Sequence, residues 1–140
     1  QKLSNFINEE IQPLWDELEL LSHDEKHQQA LRLVEQLAEQ VFGDSARERE
    51  ASWILYYSLP QLPFFAMDNA AIKAVKKSDG TAVNIDSYAQ FHHCCRRRLS
   101  RLLPYIHASA PAPSQEVEQR TKSSNWWQRQ CLRNFLTQRA

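Results

Sequence analysis

Apolar side chains recur every three or four residues along most of this chain, which is the spacing that lines one face of an α-helix. The first such stretch predicts a helix from about Asn5 to Leu21, with an apolar stripe formed by Ile7, Ile11, Leu14, Leu18 and Leu21. Pro13 falls inside this stretch. Because proline lacks a backbone N–H and its ring crowds the preceding turn, we expect it to kink or divide the helix.

A second amphipathic helix is predicted directly after the first. Ser22 is suited to be its N-cap, and Glu25, three residues later, completes a capping-box sequence. Gly43 predicts its C-terminal end, because glycine readily adopts the left-handed conformation that terminates helices. The apolar stripe of this helix consists of Ala30, Leu31, Val34, Leu37, Ala38 and Val41.

A third helix is expected to begin at Asp44 or Ser45, either of which can act as N-cap, and to extend to Ser58. Its last part, residues 53–57, is apolar on several faces and is therefore predicted to be the most buried element. A short strand is the alternative, since Trp, Ile and Tyr favour strands. The charged residues 47–50 continue naturally as helix and favour the helical interpretation.

The next stretch contains Pro60 and Pro63, which break the chain. The apolar residues that follow are expected to pack over the core, and these are Phe64, Phe65 and Met67. A short fourth helix is predicted from a cap at Asp68 or Asn69 to about Lys77.

A fifth helix is predicted from its cap, Asp86, to Leu103, with Pro104 ending it. Its inner face should consist of Tyr88, Phe91, Cys95, Leu99 and Leu102. Residues 107–114 are rich in proline, alanine and serine and are interpreted as an extended linker. The final segment, residues 115–140, is predicted to form a helix that docks on the core or on a partner through Trp127, Cys131, Phe135 and Leu136.

These elements predict an all-α fold, an irregular bundle of five to six helices in a single domain. The core comprises residues 1–106, and the C-terminal helix is tethered by the Pro/Ala linker. A length of 140 residues suits one hydrophobic core, and only two glycines occur, which argues against a turn-rich β protein. Side chains predicted to be buried are Trp15, Leu18, Leu37, Val41, Trp53, Ile54, Tyr57, Phe91, Leu99 and Leu102.

Charge is divided along the chain, although the net formal charge is zero. Residues 1–50 hold twelve acidic and five basic residues, whereas residues 91–140 hold nine basic and two acidic residues. Such a division indicates either an acidic partner or pairing between the two halves of the molecule. The residues predicted to contact a protein partner or nucleic acid are Arg96, Arg97, Arg98, Arg101, Arg129, Arg133 and Trp126.

Arginine clusters bind phosphates and exposed aromatic side chains stack on bases, which is the case for a DNA- or RNA-binding accessory protein. Against it, dedicated nucleic-acid-binding domains are usually basic overall, whereas the acidic residues 1–50 can neutralise these arginines. We therefore expect a non-catalytic adaptor or regulatory protein that binds another protein or a second copy of itself. Nucleic-acid binding through the helix that carries Arg96 and Arg101 is the alternative.

Enzymatic chemistry has little support in the sequence. No GxSxG, Walker A or GxGxxG motif occurs, and the expectation is no enzyme and no cofactor. His92 and Cys95 are three residues apart on a predicted helix and are the best metal-ligand candidates, but no CxxC or HExxH motif supports a metal site. The alternative interpretation places Cys95 in the core, Cys94 at a partly buried position and the histidines on the outer and boundary faces.

The longest apolar run near a helix, residues 53–57, is far below the roughly 20 residues of a membrane span, so no membrane contact is expected. Three cysteines cannot all pair, and Cys94 and Cys95 are neighbours, which favours reduced thiols and a cytoplasmic location.

Overall fold

The computed structural model describes residues 1–78, 85–109 and 126–138, and within these ranges it contains six helices and no strand. The chain folds as one all-α bundle, as predicted. In chain order the elements are α1 (Lys2–Phe6), a π-helical turn (Ile7–Ile11), α2 (Gln12–Trp15), a 3-10 turn (Leu18–Leu20), α3 (His23–Gln40), a 3-10 turn (Ser45–Arg47), α4 (Glu48–Ser58), α5 (Asn69–Ser78), α6 (Tyr88–Ser109) and α7 (Trp126–Gln138). The segment from α1 to α2 is one continuous helix.

The π-helical turn lies immediately before Pro13 and explains how the first helix accommodates it. The Gln12 N–H donates to the carbonyl of Ile7, five residues earlier, so the helix widens just where the proline ring needs space. The extra residue also shifts the register upstream. As a result Phe6 is buried, whereas Ile7, which was predicted to lie on the apolar stripe, is 39 % exposed.

The start of α3 is fixed by the predicted capping box. The Ser22 hydroxyl accepts from the Glu25 N–H at 3.2 Å, and the Glu25 carboxylate accepts from the Ser22 N–H at 3.1 Å. Gly43 follows the helix with a φ of 71°, the left-handed conformation that its sequence position predicted. Asp44 then accepts from the Ala46 N–H at 2.9 Å and leads the chain into α4.

Helix α4 is a helix throughout, so the alternative of a strand at residues 53–57 is wrong. Its buried face consists of Ala51, Ser52, Leu55 and Tyr56. Ile54 and Tyr57 were predicted to be buried, but they are 37 % and 53 % exposed because they lie on the opposite side of the helix. Trp15, also predicted to be buried, is 54 % exposed. It lies beside Leu14, which packs against the core in its place.

Residues 59–68 have no regular secondary structure, yet most of them belong to the core. The buried residues of this segment are Leu59, Leu62, Pro63, Phe64, Phe65, Ala66 and Met67. Buried backbone groups need partners, and side chains of the helices supply them. The Tyr88 hydroxyl accepts from the Phe65 N–H at 3.0 Å, and the Ser52 hydroxyl accepts from the Met67 N–H at 2.9 Å. The predicted packing of this segment over the core is confirmed.

Helices α5 and α6 begin at side-chain caps. Asp68 accepts from the Ala71 N–H at 2.7 Å, as predicted. For α6, Ser87 rather than Asp86 accepts from the Gln90 N–H, at 3.4 Å, and Gln90 accepts from the Ser87 N–H at 3.2 Å. Helix α6 continues through Pro104 to Ser109, so its predicted end at Leu103 is wrong. A proline removes one helical hydrogen bond, but its φ is compatible with the helix that follows.

Helix α7 packs against α5 and α6 of the same chain. Its buried residues are Arg129, Leu132 and Leu136. Of the predicted docking face, Leu136 is buried as expected, whereas Trp127, Cys131 and Phe135 are only partly buried. Of the predicted linker, residues 107–109 lie in α6 and residues 110–114 lie outside the described residues, as do residues 115–125 of the predicted C-terminal helix.

Candidate functional site

Arg129 was predicted to contact a partner, but the structure places it in the interior, 2 % exposed. Its guanidinium donates to the carbonyl oxygens of Phe64 at 2.6 Å and Pro60 at 3.0 Å. It also lies over the ring of Tyr56, 5.8 Å from the centroid. Arg129 therefore joins α7 to the irregular segment 59–68.

Two further predicted partner residues of this group also make contacts within the chain. The Trp126 indole N–H donates to the carbonyl of Tyr56 at 3.1 Å. Arg133 donates to Asp68 at 2.8 Å, and its guanidinium lies 4.3 Å from the centre of the Trp53 ring. The structure thus brings these residues together as the attachment of α7 to its own core, not as an exposed binding surface.

The four arginines of α6 differ in burial and in their contacts. Arg96 makes an ion pair with Asp24 of α3, which joins the acidic first third to the basic last third. Arg98 is half-buried, with its guanidinium 6.0 Å from the centre of the Phe135 ring. Arg97 and Arg101 are exposed.

Of the two metal-ligand candidates, His92 is unsuited to bind a metal. It is 2 % exposed and therefore lies on neither an outer nor a boundary face, where the alternative interpretation placed it, and both of its ring nitrogens make hydrogen bonds. Cys95 is buried in the core, as that interpretation expected. Among the described residues no group of three or more His, Cys, Asp or Glu side chains is placed to hold a metal ion. None of the three cysteines, all of which lie in the described part of the chain, forms a disulfide.

His92 instead belongs to a buried hydrogen-bond chain, which we call the histidine chain: Tyr88, His92 and His27. The Tyr88 hydroxyl and His92 Nδ1 are 2.8 Å apart, and His92 Nε2 and His27 Nδ1 are also 2.8 Å apart. The chain begins at the Phe65 N–H, which donates to the Tyr88 oxygen. It thereby connects segment 59–68, through α6, to α3.

Burial keeps both imidazoles neutral. Loss of hydration lowers the pKa of His27 to about 3, and the nearby Arg96 guanidinium adds to this effect. Burial likewise holds the pKa of His92 well below its ordinary value, and the neighbouring His27 lowers it further. Burial also raises the pKa of the Tyr88 phenol. At neutral pH the histidine chain therefore carries no net charge.

A cavity of about 340 Å³ lies at the outer end of the histidine chain, between α3 and α6. It is a concave space of the size that small ligands occupy. Its lining combines polar and charged side chains with a few apolar ones: Asp24, His27, Gln28, Leu31, Ala89, His92, His93 and Arg96.

An exposed aromatic groove lies elsewhere on the molecule, between α4 and the start of α5, with a volume of about 580 Å³. Its lining is Phe42, Arg49, Glu50, Trp53, Ile54, Met67, Asp68 and Asn69. Tyr57 adjoins it, because its ring stacks on Trp53 with centroids 5.5 Å apart. Groove and cavity share no lining residue.

Sequence reasoning missed both features. His27 lies three residues before Ala30 and seven before Val34, on the apolar stripe of α3, and this position indicates burial. His92 likewise lies four residues after Tyr88. For the aromatic groove no comparable sign exists, because residues 53–57 are apolar all round and only packing decides which side faces outwards.

Comparison of the chain with protein-family models, with curated proteins and with solved structures finds no match in any of the three. No helix within the described ranges is both long enough and apolar enough to traverse a lipid bilayer.

Proposed function

We propose that this protein is a non-catalytic adaptor or regulator that binds a short apolar segment of another protein in the aromatic groove. The observation that carries the proposal is the exposure of Phe42, Ile54 and Tyr57 around the partly buried Trp53. Large apolar and aromatic side chains gathered at a concave surface are typical of protein-binding sites, and Trp and Tyr are the residues most often found at their energetic centres.

The two carboxylates that line the groove are already paired with arginines of the chain, and this favours an apolar occupant. Glu50 pairs with Arg47 at 3.3 Å, and Asp68 pairs with Arg133 at 2.8 Å. Arg49 donates to the side chain of Asn69. A partner would therefore be held by burial of apolar side chains, as when an amphipathic helix lies in a groove, and its affinity would depend little on salt.

Nucleic-acid binding remains the alternative prediction, and its support is weaker after the placement of the arginines. Arg129 and Arg133 bond to the chain's own carbonyl oxygens, and Arg96 pairs with Asp24. The exposed Arg97 and Arg101 are the residues on which this alternative now depends. It predicts affinity that falls steeply with added salt.

The test starts with affinity purification of the full chain from its native host, with nuclease added to half of the sample. A partner that survives nuclease is then purified, and its affinity is measured for the wild-type protein and for Ile54→Asp and Tyr57→Ala. Both substitutions are at exposed positions, so the fold should persist. We expect each to weaken binding at least about tenfold, because a central aromatic or aliphatic contact typically contributes 2 kcal/mol or more.

Tyr105→Ala is the matched control, since Tyr105 is an exposed tyrosine of α6, 74 % accessible and outside the groove. It should leave the affinity unchanged, and binding at about 50 mM and 500 mM salt should be similar. The proposal is wrong if the groove variants bind as well as the control, or if nuclease removes the partner. Loss of a dimer in Ile54→Asp, measured by light scattering, would identify the occupant as a second copy.

A further inference from the structure

In the histidine chain, only one order of donors and acceptors gives the buried Tyr88 hydroxyl hydrogen a partner. The Tyr88 oxygen accepts from the Phe65 N–H, so the buried Tyr88 O–H must find its own acceptor. The only acceptor placed for it among the described residues is His92 Nδ1. The opposite direction would leave the Tyr88 hydroxyl hydrogen unpaired in the core, at a cost of about 1–3 kcal/mol.

This direction determines the tautomers of both histidines. His92 accepts at Nδ1, so its proton is on Nε2, and it donates that proton to His27 Nδ1. A neutral His27 that accepts at Nδ1 must carry its own proton on Nε2. No hydrogen-bond acceptor for that N–H is found within residues 1–78, 85–109 and 126–138.

His27 lines the cavity together with three other groups able to donate hydrogen bonds, Gln28, His93 and Arg96. The Arg96 guanidinium is held there by Asp24, a carboxylate whose side chain is 78 % accessible to solvent. The hydrogen bond and the charge of Arg96 also lower the pKa of the Asp24 carboxyl, so the pair is ionised at neutral pH. Asp24 thus contacts Arg96 from the solvent side, at a position from which another anion can displace it.

We infer that this cavity binds a small oxyanion, a carboxylate or phosphate group, between the His27 Nε2–H and the Arg96 guanidinium. Arginine matches both groups because its planar N–H fork donates to two oxygens at once. A neutral imidazole that can only donate outwards adds a directed bond without an additional charge. The site is distinct from the aromatic groove, so this inference does not depend on the proposed function.

The test uses histidine-labelled full-length protein and follows the ¹⁵N resonances of the imidazoles at neutral pH. Potassium phosphate and potassium acetate are added separately at constant ionic strength, with potassium chloride as the reference. We expect a saturable shift at His27 Nε2 with at least one of the two anions and none with chloride. Comparison of the phosphate and acetate titrations tells which oxyanion the site prefers.

Two substitutions separate a specific site from general charge effects. Arg96→Gln should weaken the binding at least about tenfold, because it removes the bidentate charged donor. Asp24→Asn should strengthen it about threefold, because it releases Arg96 from an exposed ion pair of modest strength. Asp16→Asn removes one exposed acidic charge away from the cavity and is the matched control, which should change the affinity little.

Several results would overturn the inference. Shifts that rise linearly without saturation, or that are the same in Arg96→Gln as in the wild type, mean that no site exists. An equal gain in Asp24→Asn and Asp16→Asn means that only net charge matters. A His27 spectrum with the proton on Nδ1 instead of Nε2 removes the donor on which the inference rests.

Discussion

Arg129 is a charged side chain that functions as part of the core. Its guanidinium is surrounded by carbonyl oxygens of segment 59–68 and by the ring of Tyr56. Such burial is tolerable only because the charge is hydrogen-bonded on several sides. From the sequence alone, Arg129 could not be distinguished from a surface arginine, because the carbonyl groups that accept its bonds come from residues about 65 positions away.

Arg129→Ala should lower the free energy of unfolding by about 3 kcal/mol. The substitution leaves the carbonyls of Pro60 and Phe64 without their charged donor and opens a void beneath α7. Urea unfolding followed by circular dichroism measures the change. The control is Lys76→Ala on the exposed side of α5, for which a change within about 0.5 kcal/mol is expected. Equal stabilities of the two variants would show that Arg129 contributes no more than a surface side chain.

Helix ends and helix faces differ in how far the sequence determines them. Ser22 was correctly identified as a cap, Asp44 and Asp68 were each one of two candidates, and Asp86 missed the true cap, Ser87, by one residue. Caps are predictable to this extent because a cap depends on residues within three positions along the chain. The exposed face of α4 was assigned wrongly, and so was the buried face of α7 apart from Leu136. Both helices have apolar side chains on more than one side, so their orientation is decided by neighbours distant in sequence.

Ending the chain at residue 125 should abolish cooperative unfolding. Leu132 and Leu136 are almost fully buried, and removal of α7 would expose the side chains of α5 and α6 against which it packs. Thermal unfolding followed by near-ultraviolet circular dichroism is the measurement. A truncated protein with a sharp, reversible transition would contradict this expectation and would favour the initial view of α7 as a tethered docking helix.

At the scale of the whole molecule, the acidic first third and the basic last third of the sequence are in direct contact. The ion pair of Asp24 and Arg96 links the two ends of the sequence, whereas Arg32 pairs with Glu10 within the acidic third, at 2.8 Å. The sequence correctly indicated an all-α bundle, because composition and periodicity determine the class of fold. It could not indicate the histidine chain, which requires α3, α6 and segment 59–68 to meet.

The histidine chain makes the stability of the molecule depend on pH. His27 and His92 have lowered pKa values in the folded protein, so below about pH 6.5 the unfolded chain takes up protons that the folded chain does not. The two neutral histidines therefore contribute fully to the free energy of unfolding above about pH 6.5, and this contribution is lost as the pH falls. Between pH 7 and pH 5 each histidine should reduce the free energy of unfolding by about 2 kcal/mol.

His27→Gln removes one of these two contributions. The free energy of unfolding should therefore fall by about 2 kcal/mol less between pH 7 and pH 5 than it does in the wild type. His93→Gln, at an exposed position on α6, is the control and should retain the wild-type dependence. Urea denaturation of the three proteins at both pH values gives the six free energies needed. The same pH dependence in all three proteins would mean that His27 is protonated in the folded state.

The irregular segment 59–68 has a consequence for how this sequence can vary. Prolines and the absence of regular structure give it the character of a variable surface loop, and such loops usually tolerate extra residues. Here, however, its backbone groups are bonded one by one to Ser52, Tyr88, Arg129 and Arg133. A single inserted residue would move several of these groups away from their partners at once. In relatives of this protein the length of this segment should therefore change less than the length of the helices around it.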